Sequence, residues 1–155
     1  MGPGFERVFR VQLSKAEFFQ GGDMTRDLDG VEITVYSPEM IAIEKLRAIC
    51  QQMDEYPERS KKTARARDFY DIHEVCQLDG ADLASEENLR LLRGSFSAKR
   101  VDLKLLARIA DTREFHRPDW PAVEASVEGY LDDFDFYFDF VCAEVTRVLE
   151  RLGSL

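Results

Sequence analysis

The sequence is poor in residues that staple, ligate or span, with three cysteines, two histidines and one tryptophan among 155 positions. Cys50, Cys76 and Cys142 are odd in number, widely spaced and set in apolar helical patterns. They do not form a disulfide framework and read as buried thiols in a reducing compartment. His73 and His116 are too few and too far apart for a zinc site, and no cysteine stands at ligand spacing. No run approaches the roughly 18 apolar residues that a membrane span needs. The N-terminus, with Glu6 and Arg7, has no apolar signal core. A cytoplasmic chain without membrane association is therefore expected. Repeats and low-complexity tracts are missing too, and 45% hydrophobic residues suffice for one real core.

Positive charge is the minority. A net charge of −9 counts against a free nucleic-acid binder, because phosphate contacts dominate such affinity. The balance is uneven along the chain. Residues 59–67 hold five cations (Arg59, Lys61, Lys62, Arg65, Arg67) and no acid, whereas residues 124–139 hold six acids and no base. The basic stretch is compatible with a solvated loop and with an anion-facing edge.

Phe5, Phe9, Val11 and Leu13 alternate with polar residues, which predicts a strand with one buried face. Val31–Tyr36 (VEITVY) predicts a second, and the glycine-bearing stretch 20–30 between them reads as a loop ending in an Asp29-Gly30 turn. Two strands alone are marginal in water, so a larger sheet is implied. Ser37-Pro38-Glu39 is a strong helix start, with a capping hydroxyl, proline at the first helical position and an acid at the positive dipole end. Met40, Ile43, Leu46, Cys50 and Met53 define the apolar face of that helix, over residues 37–53. A second helix is expected over 65–77, and others over 85–92, 99–110, 119–131 and 134–152. Asp119-Trp120-Pro121 reads as a capped start of its own. The fold class is α+β and mostly helical: two N-terminal strands in residues 1–36, then a bundle of about five to six helices in residues 37–155.

Arg67 and Asp71 stand four apart on the second helix, and Asp68 and Asp71 three apart. Taken alone, this spacing describes a surface ion-pair network worth a few tenths of a kcal/mol. Phe69 and Tyr70 fit core packing better than base stacking. The aromatic run Phe134–Phe140 is apolar on most sides, so its helix is either central to the bundle or open to self-association.

Three ordered motifs change the reading. Val35-Tyr36-Ser37-Pro38-Glu39, Ile43-Glu44-Lys45-Leu46-Arg47-Ala48 and Arg65-Ala66-Arg67-Asp68-Phe69-Tyr70-Asp71-Ile72 together resemble the AbiEii/AbiGii nucleotidyltransferase toxin family. The resemblance is firm over residues 31–72 and looser beyond, around Trp120 and Phe134–Phe138. It implies an enzyme that moves a nucleoside monophosphate from a nucleoside triphosphate to an RNA acceptor such as tRNA, with Mg as cofactor and an antitoxin as partner. Lys45 matches the family's triphosphate-contacting lysine and Asp68 the acid of its last motif. Arg67 and Asp71 match the neighbours that orient Asp68, and Arg65 belongs with them on the substrate side. A fixed cation suits phosphoryl-type transfer, which is catalysed by positioning and charge neutralisation.

The departure from the family lies in its metal-binding half, an Asp-x-Asp strand after a Gly-Gly or Gly-Ser helix start. Gly21-Gly22 and Asp27-Leu28-Asp29 imitate these in miniature, but four residues between Gly22 and Asp27 leave no room for the intervening helix and strand. Where a third carboxylate is expected, Gln12 is the nearest match. No metal ligand is therefore assigned, and the chain is expected to correspond to the C-terminal part of such an enzyme, inactive alone. The competing expectation is a non-catalytic helical module that binds a separate catalytic or antitoxin chain.

Overall fold

A computed structural model of the chain describes residues 21–153. The strand expected over Phe5–Leu13 lies outside them. The stretch read as a loop is instead largely a strand: β1 (Asp23–Leu28) pairs antiparallel with β2 (Val31–Tyr36), with Asp23 opposite Tyr36 and Leu28 opposite Val31. Its sequence has no clear apolar alternation, and its conformation is imposed by the partner strand and the turn. Asp29 and Gly30 both have positive φ, 52° and 82°, as a two-residue type I′ hairpin loop requires. Among the described residues, Val31 and Val35 on one face of the hairpin are exposed.

Helix α1 (Pro38–Cys50) starts where its signals place it, the Ser37 hydroxyl accepting the Met40 N–H at 3.2 Å. It ends at Cys50 rather than Met53. The following residues continue as hydrogen-bonded turns, with Gln52 N–H donating to the Ile49 carbonyl and Met53 N–H to that of Cys50. Helix α2 (Ala66–Leu78) occupies the expected stretch, and α3 (Glu86–Ala98) runs well past Leu92. The expected helix over 99–110 is a 3₁₀ segment, Leu103–Thr112, started by Asp102 accepting from Lys104 N–H at 2.9 Å. A single turn, α4 (Arg113–His116), and a 3₁₀ turn, Arg117–Asp119, lead into a short α5 (Trp120–Glu124) in place of the long helix expected over 119–131. Helix α6 (Phe134–Leu152) closes the described chain, capped by the Asp133 carboxylate on the Phe136 N–H at 2.9 Å. The architecture is thus α+β and mostly helical, as expected.

The core forms where α1 packs against α2 and α3, and α2 against α6. The aromatic run is central to it. Phe134, Tyr137 and Phe138 are buried, and Phe136 is 46% exposed. Phe69 stacks on Phe138 at 5.0 Å between centroids and meets the edge of Phe134 at 5.6 Å. A buried polar chain joins α1 to the end of α3: Arg47 donates to the Gln51 side chain (2.9 Å), Gln51 to the Tyr56 hydroxyl (3.1 Å), and that hydroxyl to the Lys99 carbonyl (3.1 Å). The three cysteines are free, and burial pushes the Cys76 thiol up to about 12 and that of Cys50 higher, so both stay protonated and inert at neutral pH. Among the described residues no helix is long and apolar enough to cross a membrane.

Candidate functional site

The packing of α1 on α2 brings Lys45, Asp68, Asp71, Arg65 and Arg67 into one cluster. Lys45 Nζ donates to Asp68 Oδ1 at 3.1 Å and to Asp71 Oδ2 at 2.8 Å. Arg65 Nε donates to the other oxygen of Asp68, and Arg67 Nε to the other oxygen of Asp71, at 2.8 Å. Each carboxylate is thus shared by Lys45 and one arginine. Asp68 is nearly buried, its side chain 6% exposed, while the Lys45 side chain is 24% exposed. Burial alone would lower the Lys45 pKa, but the charge of Asp68 and the hydrogen bond Lys45 donates to Asp71 outweigh it and raise it above its usual value. The ammonium is therefore fixed in the charged state. It has three N–H donors, of which two are engaged among the described residues.

Arg67 pairs with Asp71 along its own helix and reaches Ser126 Oγ at 3.0 Å. Glu44 accepts from Arg47 and from the Ser95 hydroxyl. The basic stretch splits. Arg65 and Arg67 join the cluster, Lys62 turns away to donate to the Tyr56 carbonyl at 2.7 Å, and Arg59 and Lys61 are exposed without a partner among the described residues. Two of the six acids in the acidic run are ion-paired, Asp135 with Arg113 and Arg117 and Asp139 with Arg113.

Sequence reasoning missed what starts α2. Arg65 occupies its cap position and provides no side-chain bond. The Arg65 N–H donates instead to His116 Nδ1 at 3.0 Å, and the Ala66 N–H to Asp119 Oδ2 at 3.2 Å. Asp119, read as the cap of the helix it precedes, makes no side-chain cap bond there and caps α2 instead. The available signal was a deficit: no Ser, Thr, Asp or Asn stands at position 65 to cap a helix whose apolar stripe is clear.

His116 is fully buried, tilted against Phe69 at 5.1 Å. A backbone N–H can only donate, so Nδ1 is the bare nitrogen and the ring is neutral. Burial depresses its pKa from 6.5 to about 4, against the opposing charge of Asp68. Between those values the unfolded chain binds a proton that the folded one refuses. Stability from this group is therefore complete above pH 6.5 and is lost as pH falls toward 4. The expected loss is about 3 kcal/mol across that window, and His116→Asn should flatten this part of a urea-denaturation series between pH 7 and 4. An unchanged slope in that variant would show that other groups carry the acid sensitivity.

Among the described residues, the carboxylates near the cluster and the hairpin do not fit a divalent cation. Asp27 Oδ1 accepts the Gly30 N–H at 3.1 Å and, with Asp29, serves the hairpin turn. Asp68 and Asp71 are each held by two cations, which a metal ion would have to displace. Among the described residues no group of three or more His, Cys, Asp and Glu side chains is placed to hold a metal.

The cluster is an ion-pair network of three cations and two carboxylates built across two helices, on a mostly helical α+β frame. Residues 9–140 match the family of the nucleotidyl transferase AbiEii toxin, Type IV TA system, and the chain belongs to that family. No curated protein and no solved structure matches the chain.

Proposed function

We propose that this chain provides the triphosphate side of a nucleotidyl-transfer site. Lys45 receives a phosphate oxygen of a nucleoside triphosphate, and Asp68, Asp71, Arg65 and Arg67 hold that lysine in place. The observation that carries the reading is the Lys45 ammonium suspended between two carboxylates, charged, partly exposed and with a donor to spare. Binding a phosphate there would neutralise charge on the triphosphate without moving a side chain, which is how such transfers are catalysed. Arg65 and Arg67 flank the rim as further cations, and the acceptor is an RNA such as tRNA.

The carboxylate ligands for the metal chemistry of such an enzyme must come from an Asp-x-Asp segment that these residues do not supply, so the chain alone transfers nothing. The test is transfer of radiolabel to tRNA from each of the four nucleoside triphosphates, by the chain alone and with an Asp-x-Asp segment from a family member added in trans. No transfer alone, and transfer on addition, is the expected result. Millimolar affinity at best for a triphosphate, about −4 kcal/mol, is expected without that segment. Robust transfer by the chain alone would send the assignment back to Asp27 and Asp29.

A second reading draws on the hairpin. Met24, Val35, Pro38, Ile41 and Val75 line an open, largely apolar cleft of about 460 Å³ beside β2. A non-catalytic module docking its antitoxin or a catalytic chain would use such a surface. Co-purification with the antitoxin, undiminished by Lys45→Ala and lost with Ile41→Asp, would favour it.

A further inference from the structure

We infer that His116 and Asp119 are positioning residues, which cap the first turn of α2 from a distant part of the chain and thereby hold Asp68 and Lys45 in place. They stand 51 and 53 residues beyond the backbone groups they cap. Helix α2 has no side-chain cap of its own, so these two acceptors satisfy the N–H groups of Arg65 and Ala66 at its start. The same turn carries Asp68, whose N–H donates to the Arg65 carbonyl at 3.0 Å and whose carboxylate is gripped by the Arg65 side chain. Arg65 is therefore fixed twice, by its backbone to His116 and by its guanidinium to Asp68. Asp68 in turn bonds Lys45 across the helix pair. An unbroken chain of hydrogen bonds runs from the turns before α5 to the lysine. Position 116 has a second anchor, since its ring packs on Phe69 one residue past Asp68. His116 and Asp119 touch no substrate in this arrangement and act through Arg65 and Asp68.

The function assigned to this chain rests on the reading above, but the geometry can be tested without nucleotide or turnover. Two quantities are measured by NMR on the full chain: amide exchange at Arg65 and Ala66, and titration of the Lys45 ammonium. In Asp119→Ala, protection of the Ala66 amide should fall about fivefold to tenfold, as for loss of one helix cap. The Lys45 titration should move down toward its ordinary value, because Asp68 is no longer held against it. His116→Leu should do the same through Arg65. His116→Asn, which keeps an acceptor near the Nδ1 position, should restore both. Val148→Ala, a buried change near the far end of α6, controls for general loss of stability and should leave the Lys45 titration alone. If His116→Leu fails to fold, Asp119→Ala and the asparagine variant still decide the matter. A Lys45 titration unmoved in a folded Asp119→Ala chain, or moved equally by Val148→Ala, overturns the inference. A shift in Lys45 together with normal transfer by Lys45→Ala in the complemented enzyme would leave the capping relay standing and remove the proposed function.

Discussion

Phe69→Ala is expected to destabilise the protein by about 3–5 kcal/mol. The ring is fully buried where α2 meets α6, stacked on Phe138, edge-on to Phe134 and against His116. Truncation removes the transfer free energy of the ring and leaves a void walled by rigid aromatics, which cannot collapse to fill it. Native domains have only about 5–15 kcal/mol in reserve, so the variant should sit near the edge of folding. With a urea slope of about 2 kcal/mol per molar, its midpoint should fall by roughly 2 M. Phe136→Ala, at a half-exposed neighbour in the same run, should cost under about 1 kcal/mol. Equal midpoints for the two variants would contradict the way α2 and α6 are packed.

Lys45→Ala is expected to reduce nucleotidyl transfer by the complemented enzyme about 100- to 1,000-fold, the usual effect of deleting one preorganised charge-stabilising donor. The fold should survive. Asp68 retains Arg65 and Asp71 retains Arg67, so neither carboxylate is orphaned, and the loss of the partly buried ammonium should cost about 1–2 kcal/mol. The two quantities must be read together, as transfer rate and denaturation midpoint on the same preparation. Full activity would reduce Lys45 to a tie between helices. An unfolded variant would make it structural.

Local signals told the sequence most. Ser37-Pro38-Glu39 marked the start of α1, because a cap and the N–H it accepts lie within one turn of chain. The 3.6-residue stripe of α1 was equally direct. Where the local signal was weak, tertiary context decided. Asp23–Leu28 is polar enough to pass for a loop and is a strand only because β2 is beside it. Over ten residues, Leu103–Thr112 fits a 3₁₀ period as readily as an α period, and the tighter turn won. For the site, spacing alone offered a surface ion-pair network on α2. Lys45 was joined to it by the ordered family motifs, and the bonds of Lys45 to Asp68 and Asp71 required the structure. The roles of His116 and Asp119 were invisible, since each bonds to a backbone group more than 50 positions away.

That separation also sets an order of events on the ribosome. The residues of α2 emerge from Ala66 onward and can begin to coil as they do, but the helix frays at the end that carries Asp68. The acceptors that close that end are still untranslated, and at roughly 5–20 residues per second they arrive some 3–10 seconds later. The Phe138 ring that stacks on Phe69 emerges later still. A chain abandoned by the ribosome before His116 would contain every residue of the charged cluster, yet leave the first turn of its second helix without those two acceptors.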